Sequence, residues 1–188
     1  MRRLMLLRHA KTETDAPSGR DQDRRLDPRG HRDAAEIGGW LAAHPPFPDA
    51  VLVSPAIRAK QTWELAWEVM KEHVPAPHVT FVPELYGADP MQMLQTIRMA
   101  SVTDPRTGSR TDPRQLMLVG HNPGMHELAL MLTGSGDAAI RDAVADNLPT
   151  SGLAIFEFAT NDWNEVGFRR GKLVLFVSPK LLKQTSDD

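Results

Sequence analysis

The 188-residue chain contains no cysteine, which excludes disulfides, thiolate nucleophiles and Cys-ligated zinc. It also lacks any apolar run near the ~20 residues that would span a bilayer. After Arg2-Arg3 only Leu4, Met5, Leu6 and Leu7 precede Arg8, too few for the apolar region of a signal peptide. No basic tract stands out, and 22 Lys+Arg against 24 Asp+Glu leave the chain near neutral, which argues against a nucleic-acid partner. No internal repeat is visible. With membrane and nucleic acid set aside, a soluble, cytoplasmic protein is expected, and the length suits one domain with a full core.

What the chain does have is a series of short apolar runs that end in charged or proton-carrying residues. Leu4-Met5-Leu6-Leu7 ends in Arg8-His9-Ala10. Val51-Leu52-Val53 ends in Ser54-Pro55, a helix start that carries Arg58 in its first turn. Val79-Thr80-Phe81-Val82 exits into Pro83-Glu84-Leu85, and Leu116-Met117-Leu118-Val119-Gly120 exits into His121-Asn122-Pro123-Gly124. The runs at Leu4, Val51 and Leu116 read as buried strands and Val79–Val82 as a short strand, all of one parallel sheet whose carboxyl ends share one edge. Arg8, His9, Arg58, Glu84 and His121 should converge there.

Helices fill the intervals. Asp27-Pro28 reads as N-cap and first helical position, followed by the stripe Ile37, Trp40, Leu41 and a stop before Pro45-Pro46. Ser54-Pro55 repeats the signal, with Ala59, Trp63, Ala66 and Met70 on one face. Asn122-Pro123 is a third copy, with Met125, Leu128, Ala129 and Leu132 as its stripe and Gly134 as its end. A weaker helix is expected from about Pro90 to Ala100, followed by a loop over 103–114. After Ser151-Gly152 the period changes to two, with Ala154, Phe156 and Phe158 on one face, and Arg170-Gly171-Lys172 turns the chain into Leu173–Val177. The alternation predicts an α/β fold. It is a three-layer α/β/α sandwich with a mostly parallel central sheet and a C-terminal antiparallel hairpin.

The segments "LLRHA", "VLVSPAIRAKQT", "PELYGA" and "LVGHNPGM" resemble, in order, those of the histidine phosphatase superfamily, the relatives of cofactor-dependent phosphoglycerate mutase. The short chain, "RLDPRGHRDA" at Arg25 to Ala34 and the "SPK" near the end are similar to the SixA-type phosphohistidine phosphatases. Two departures are Ala10, where a glycine is usual, and Asp15, where the mutase branch has an Asn that touches phosphate. The resemblance implies a single domain over residues 1–188. The mutase-like relatives carry a large lid between the positions of Glu84 and His121, whereas this chain has room there for one helix and one loop.

The residue types fit phosphoryl transfer. A neutral imidazole whose one ring nitrogen is held as N–H can attack phosphorus with the other, and His9 is the expected nucleophile. Arg8 and Arg58 supply planar donor forks for phosphoryl oxygens. His121, protonated when phosphate is bound, stabilises charge on the transferring oxygens, and Asn122 beside it joins the phosphate contacts by resemblance. Glu84 is the candidate acid that protonates the leaving group and then activates water. No metal or other cofactor is expected: His126-Glu127 opens like a zinc-protease motif, but Leu130 stands where the second His would be. The remaining histidines are expected at the surface. The expected function is a metal-independent phosphatase with a phosphohistidine intermediate, acting on phosphohistidine in a protein. The alternatives are a phosphatase of a small phosphate ester and a phosphate-binding module without turnover.

Overall fold

The computed structural model describes residues 1–186. The chain opens with β1 (Arg2–Arg8), then α1 (Pro28–Ala43), β2 (Ala50–Val53), α2 (Ile57–Met70), β3 (His78–Phe81) and α3 (Pro90–Arg98). A small pair, β4 (Val102–Thr103) and β5 (Arg110–Thr111), precedes β6 (Gln115–Gly120) and α4 (Gly124–Leu132). The remainder is β7 (Thr133–Gly136), α5 (Ala138–Asp146), β8 (Leu153–Phe158), β9 (Gly171–Val177) and α6 (Pro179–Ser186).

Seven strands form one sheet in the order β3-β2-β6-β1-β8-β9-β7. β1, β2, β3 and β6 are mutually parallel, and β8 alone runs against its neighbours β1 and β9. Because successive side chains of a strand point to opposite faces, β1 feeds two cores at once. Leu4 and Leu6 join Leu52, Leu116, Leu118 and the apolar faces of α3 and α4. Met5 and Leu7 join Val51, Val53, Met117, Val119 and the faces of α1 and α2. Helices therefore cover both faces, and the expected three-layer α/β/α architecture is the one observed.

β1 and β6 are neighbours, yet the helices that follow them, α1 and α4, pack on opposite faces of the sheet. The strand ends part into a crevice at such a switch point, and ligands bind there.

The helix start at Asp27 is as read: its side chain accepts from Gly30 N at 2.7 Å, with Pro28 in the first turn. α3 gains a full capping box from Asp89 and Gln92. The other two Pro signals lie slightly upstream of their helices. α2 begins at Ile57, so Ser54 stays at the strand exit. Pro123 is the N-cap of α4, joined to Asn122 by a cis peptide, and Asn122 does not cap the helix.

Beyond the β4–β5 pair, which forms within the stretch expected as a loop, three further elements carry no clear sequence signal. β7 is the edge segment Thr133-Gly134-Ser135-Gly136, whose glycines read only as a helix stop. α5 buries Val144 with Ile140 partly buried, too few apolar residues to show a stripe, and Asp137 starts it by accepting from Ala139 N and Ile140 N. α6 follows the Ser178-Pro179 step. The C-terminal pair β8 and β9 is antiparallel but is no tight hairpin. Residues 159–170 link the strands through a turn at Trp163–Glu165, where buried Trp163 donates its indole N–H to Pro113 O at 2.6 Å.

Candidate active site

The register places Arg8 opposite Gly120 across β1 and β6, so the next residues, His9 and His121, leave the sheet side by side. Their ring centroids are 5.3 Å apart. β2 lies on the other side of β6, with Val53 opposite Val119, and Ser54 N donates to Val119 O. Two residues into α2, Arg58 arrives at the same edge and is only 5% exposed, against 7% for His9 and 8% for His121. The strand ends thus supply three buried groups capable of carrying positive charge, with half-buried Arg8 beside them.

The nucleophile candidate has a fixed tautomer. His9 Nδ1 lies 2.8 Å from Ala10 O, which can only accept, so Nδ1 carries the proton and Nε2 keeps its lone pair. Burial is the main cause that lowers the His9 pKa to about 3, against the upward pull of that hydrogen bond, and His121, Arg58 and Arg8 lower it further. His121 is lowered to about 4, again first by burial and then by Arg58. In the free site both rings are neutral at physiological pH. The Ala10 methyl group fits: the residue is fully buried, and its N–H donates to Thr62 Oγ1 at 2.9 Å.

Two residues outside the sequence-derived set stand against Arg58. Its Nη1 donates to Asp21 O at 2.8 Å and its Nη2 to Asp21 Oδ2 at 3.0 Å. The same Oδ2 accepts from the Tyr86 hydroxyl at 2.7 Å. The Tyr86 bond, followed by Arg58, holds Asp21 at about 2, and the bond raises the Tyr86 phenol in return. Tyr86 also sets its ring edge-on to His121, 5.7 Å between centroids. On the other side, the Leu148 carbonyl accepts from both Arg8 Nη1 at 3.1 Å and Asn122 Nδ2 at 2.9 Å. Ser151, fully buried at φ 59, donates its N–H to the carbonyls of Arg8 and His9.

Several polar atoms here are buried without a partner among the described residues: Arg8 Nε, Arg58 Nε, His121 Nδ1 and Asn122 Oδ1. Unpaired buried polar groups are costly; a ligand with acceptor oxygens would satisfy the two arginine Nε–H donors, whereas Asn122 Oδ1 is an acceptor and calls for a donor.

No hydrogen bond or ion pair among the described residues ties Glu84 to this cluster. The turn Pro83–Leu85 buries Leu85 and leaves Glu84 exposed. Glu84 lines a separate cavity of about 500 Å³ with Thr80, Gln92 and Met99. Asp15 is exposed as well. His126, expected at the surface, is half-buried with Nε2 donating to Val144 O at 2.7 Å. Ser54, Thr62 and Tyr86 all lie inside the motifs at Val51–Thr62 and Pro83–Ala88, but their residue types alone do not mark them as partners of the site. Asp21 had no local signal, because 21 and 58 meet only through the fold.

The family model of the histidine phosphatase superfamily (branch 1) matches residues 4–85. A structure assigned as the phosphohistidine phosphatase SixA of Agrobacterium tumefaciens is 30% identical, covers 95% of this chain and 98% of its own, and superposes with a TM-score of 0.71. The chain belongs to the histidine phosphatase superfamily and is SixA-like. Another structure assigned as SixA, from Nakamurella multipartitia, shares the fold at 24% identity and a TM-score of 0.70, over 95% of this chain and 96% of its own. An uncharacterized protein of Mycobacterium leprae is 36% identical over 182 residues, 93% of this chain and 100% of the relative. Phosphatase activity is what the family match and the SixA likeness support. No helix among the described residues is long and apolar enough to cross a membrane.

Proposed function

We propose that this protein is a metal-independent, cytoplasmic phosphatase that passes a phosphoryl group through His9, and that its substrate is phosphohistidine on a protein. The observation that carries this reading is the single hydrogen bond from His9 Nδ1 to Ala10 O. It leaves Nε2 unprotonated beside two arginines and a second imidazole. Nε2 forms a bond to phosphorus as the bond from phosphorus to the substrate nitrogen breaks. Water then attacks phosphorus, the bond to Nε2 breaks, and inorganic phosphate leaves with His9 restored. Arg8 and Arg58 offer Nε donors without a partner among the described residues, and the phosphoryl oxygens carry the acceptors that would satisfy them.

The choice of leaving group rests on which proton donors stand nearby. Asp21 is held at about 2, His121 is neutral above about 4, Tyr86 is a phenol made weaker as an acid, and Glu84 is exposed and lines a cavity with Thr80, Gln92 and Met99. None is a strong proton donor near neutrality. An imidazole can leave as a neutral ring if its other nitrogen already carries a proton, with a pKa of ~6.5 for the ring, whereas an alkoxide needs a general acid.

Access agrees with a protein-borne substrate. The β4–β5 pair, within the interval that would house a lid, lies with Asp49, Pro75 and His78 at the amino ends of β2 and β3. That is the sheet edge opposite the crevice. Turnover on a panel of protein phosphohistidine, an aryl phosphate and an alkyl phosphate tests the reading. Phosphohistidine should be hydrolysed fastest and the alkyl ester slowest; an alkyl ester as the best substrate would replace it with the small-ester reading.

A further inference from the structure

His121 carries a second relationship that the reaction just described does not use. Its Nε2 is 2.7 Å from Ser54 Oγ, and Ser54 is fully buried. Its Nδ1 is buried and has no partner among the described residues. Of the neighbouring donors, the Asn122 Nδ2 amide donates to Leu148 O and the Tyr86 hydroxyl to Asp21, while Asn122 Oδ1 is itself unpartnered among the described residues.

The hydrogen-bond inventory of Ser54 decides which way this contact runs. Its oxygen already accepts from Ala56 N at 3.3 Å. Its hydroxyl proton has one acceptor within reach among the described residues, His121 Nε2. If Nε2 carried the ring proton and donated to Oγ, the serine hydroxyl would lose its only acceptor and Nδ1 would also stay unpaired, so two buried groups would go unsatisfied. If Ser54 donates to Nε2, the ring proton sits on Nδ1, and only that N–H lacks a partner. A buried polar group without a partner is disfavoured, so the second arrangement prevails.

We propose that Ser54 is a positioning residue: its buried hydroxyl donates to His121 Nε2, fixes the neutral Nδ1–H tautomer, and so presents an N–H donor to an oxygen of the phosphoryl group transferring at His9. This rests on the phosphoryl-transfer reading above. His121 then serves as a neutral donor, and no imidazolium is needed for the contact. The two histidines are held in the same tautomer by different devices: His9 by donating from Nδ1 to a carbonyl, His121 by accepting at Nε2 from a hydroxyl. The outcome is opposite in function, since His9 is left with a bare nitrogen for attack and His121 with an N–H for stabilisation.

The test is nitrogen-15 spectroscopy of the imidazoles at neutral pH in the full chain, without ligand and with inorganic phosphate, on wild type, Ser54→Ala and Ser54→Cys. In the wild type His121 should show an N–H at Nδ1 and a bare Nε2, and phosphate should shift the Nδ1–H resonance. Ser54→Ala should release the tautomer toward Nε2–H and lower kcat on the order of 10–100-fold, the scale set by loss of the hydrogen bond that orients a metal-ligating histidine. KM should change much less, and Ser54→Cys should restore part of the loss as a weak donor. Nε2–H in the wild type, or an unchanged tautomer in Ser54→Ala, would overturn the proposal. Should Ser54→Ala fail to fold, the wild-type tautomer alone decides. The spectra need no turnover, so an inactive wild type would count against the proposed function and leave the tautomer question answered.

Discussion

Asp21 and Arg58 form an ion pair with 3.0 Å between Oδ2 and Nη2, in which a carboxylate holds the guanidinium that the proposed mechanism gives to phosphate. The arginine is buried and the Asp21 side chain is 55% exposed, so the carboxylate can turn away to solvent while the guanidinium cannot. A dianionic phosphoryl group would have to displace or share this partner.

Asp21→Asn should therefore tighten inhibition by inorganic phosphate. A partly exposed ion pair is worth roughly 0.2–1 kcal/mol, so the expected gain is at most about fivefold. A competitive inhibition constant measures it. Weaker phosphate binding in the variant would show instead that Asp21 orients Arg58 for its ligand.

The lowered histidines make a pH prediction. Unfolded His titrates near ~6.5, whereas the folded values are about 3 for His9 and about 4 for His121. Above the unfolded value both states are neutral and the histidines cost nothing. As pH falls through that value the unfolded chain takes up protons that the folded chain refuses, so stability is lost progressively down to the folded values. In phosphate-free buffer Tm should fall between pH 7 and 4, less steeply in His9→Gln than in wild type. Equal slopes would mean that His9 is not buried as a neutral ring.

Arg8→Lys and Arg58→Lys keep the charge and lose the planar fork. Each should lower kcat/KM on the order of 10²-fold or more, as loss of one oriented transition-state donor does. The cationic cluster is assigned the electrostatic role that Mg²⁺ has in kinases, so treatment with EDTA should leave the rate unchanged. Activity regained only on adding a divalent metal would contradict that assignment.

Glu84→Gln separates placement from resemblance. With Glu84 at the rim of its own cavity, the substitution should change rates on phosphohistidine, aryl phosphate and alkyl phosphate by less than about twofold, against the 10²–10⁴-fold a general acid contributes. A selective loss on the alkyl ester would show that Glu84 reaches the leaving group.

The parallel strands and the edge that gathers Arg8, His9, Arg58 and His121 were legible because the apolar runs of β1, β2 and β6 are short, unbroken and buried on both faces. The amphipathic stripe of α4 was equally plain. β7 and α5 were not, since their residues carry almost no core and take their form from neighbours already in place. The same division runs through the site. Residues at strand ends were visible from position, whereas Asp21, whose contact with Arg58 spans 37 residues of sequence, is a product of tertiary folding. The motif sets where Glu84 falls in the order of residues, but not the direction in which the short turn Pro83–Leu85 points it.

The central claim is that the phosphoryl group passes through His9. Brief incubation of wild type with a labelled substrate, rapid quenching in alkali and peptide mapping should locate the label on His9 as an acid-labile, alkali-stable phosphoramidate, and His9→Ala should bind phosphate yet carry no label. Label on a hydroxyl or carboxylate residue, or undiminished turnover in His9→Ala, would contradict the account.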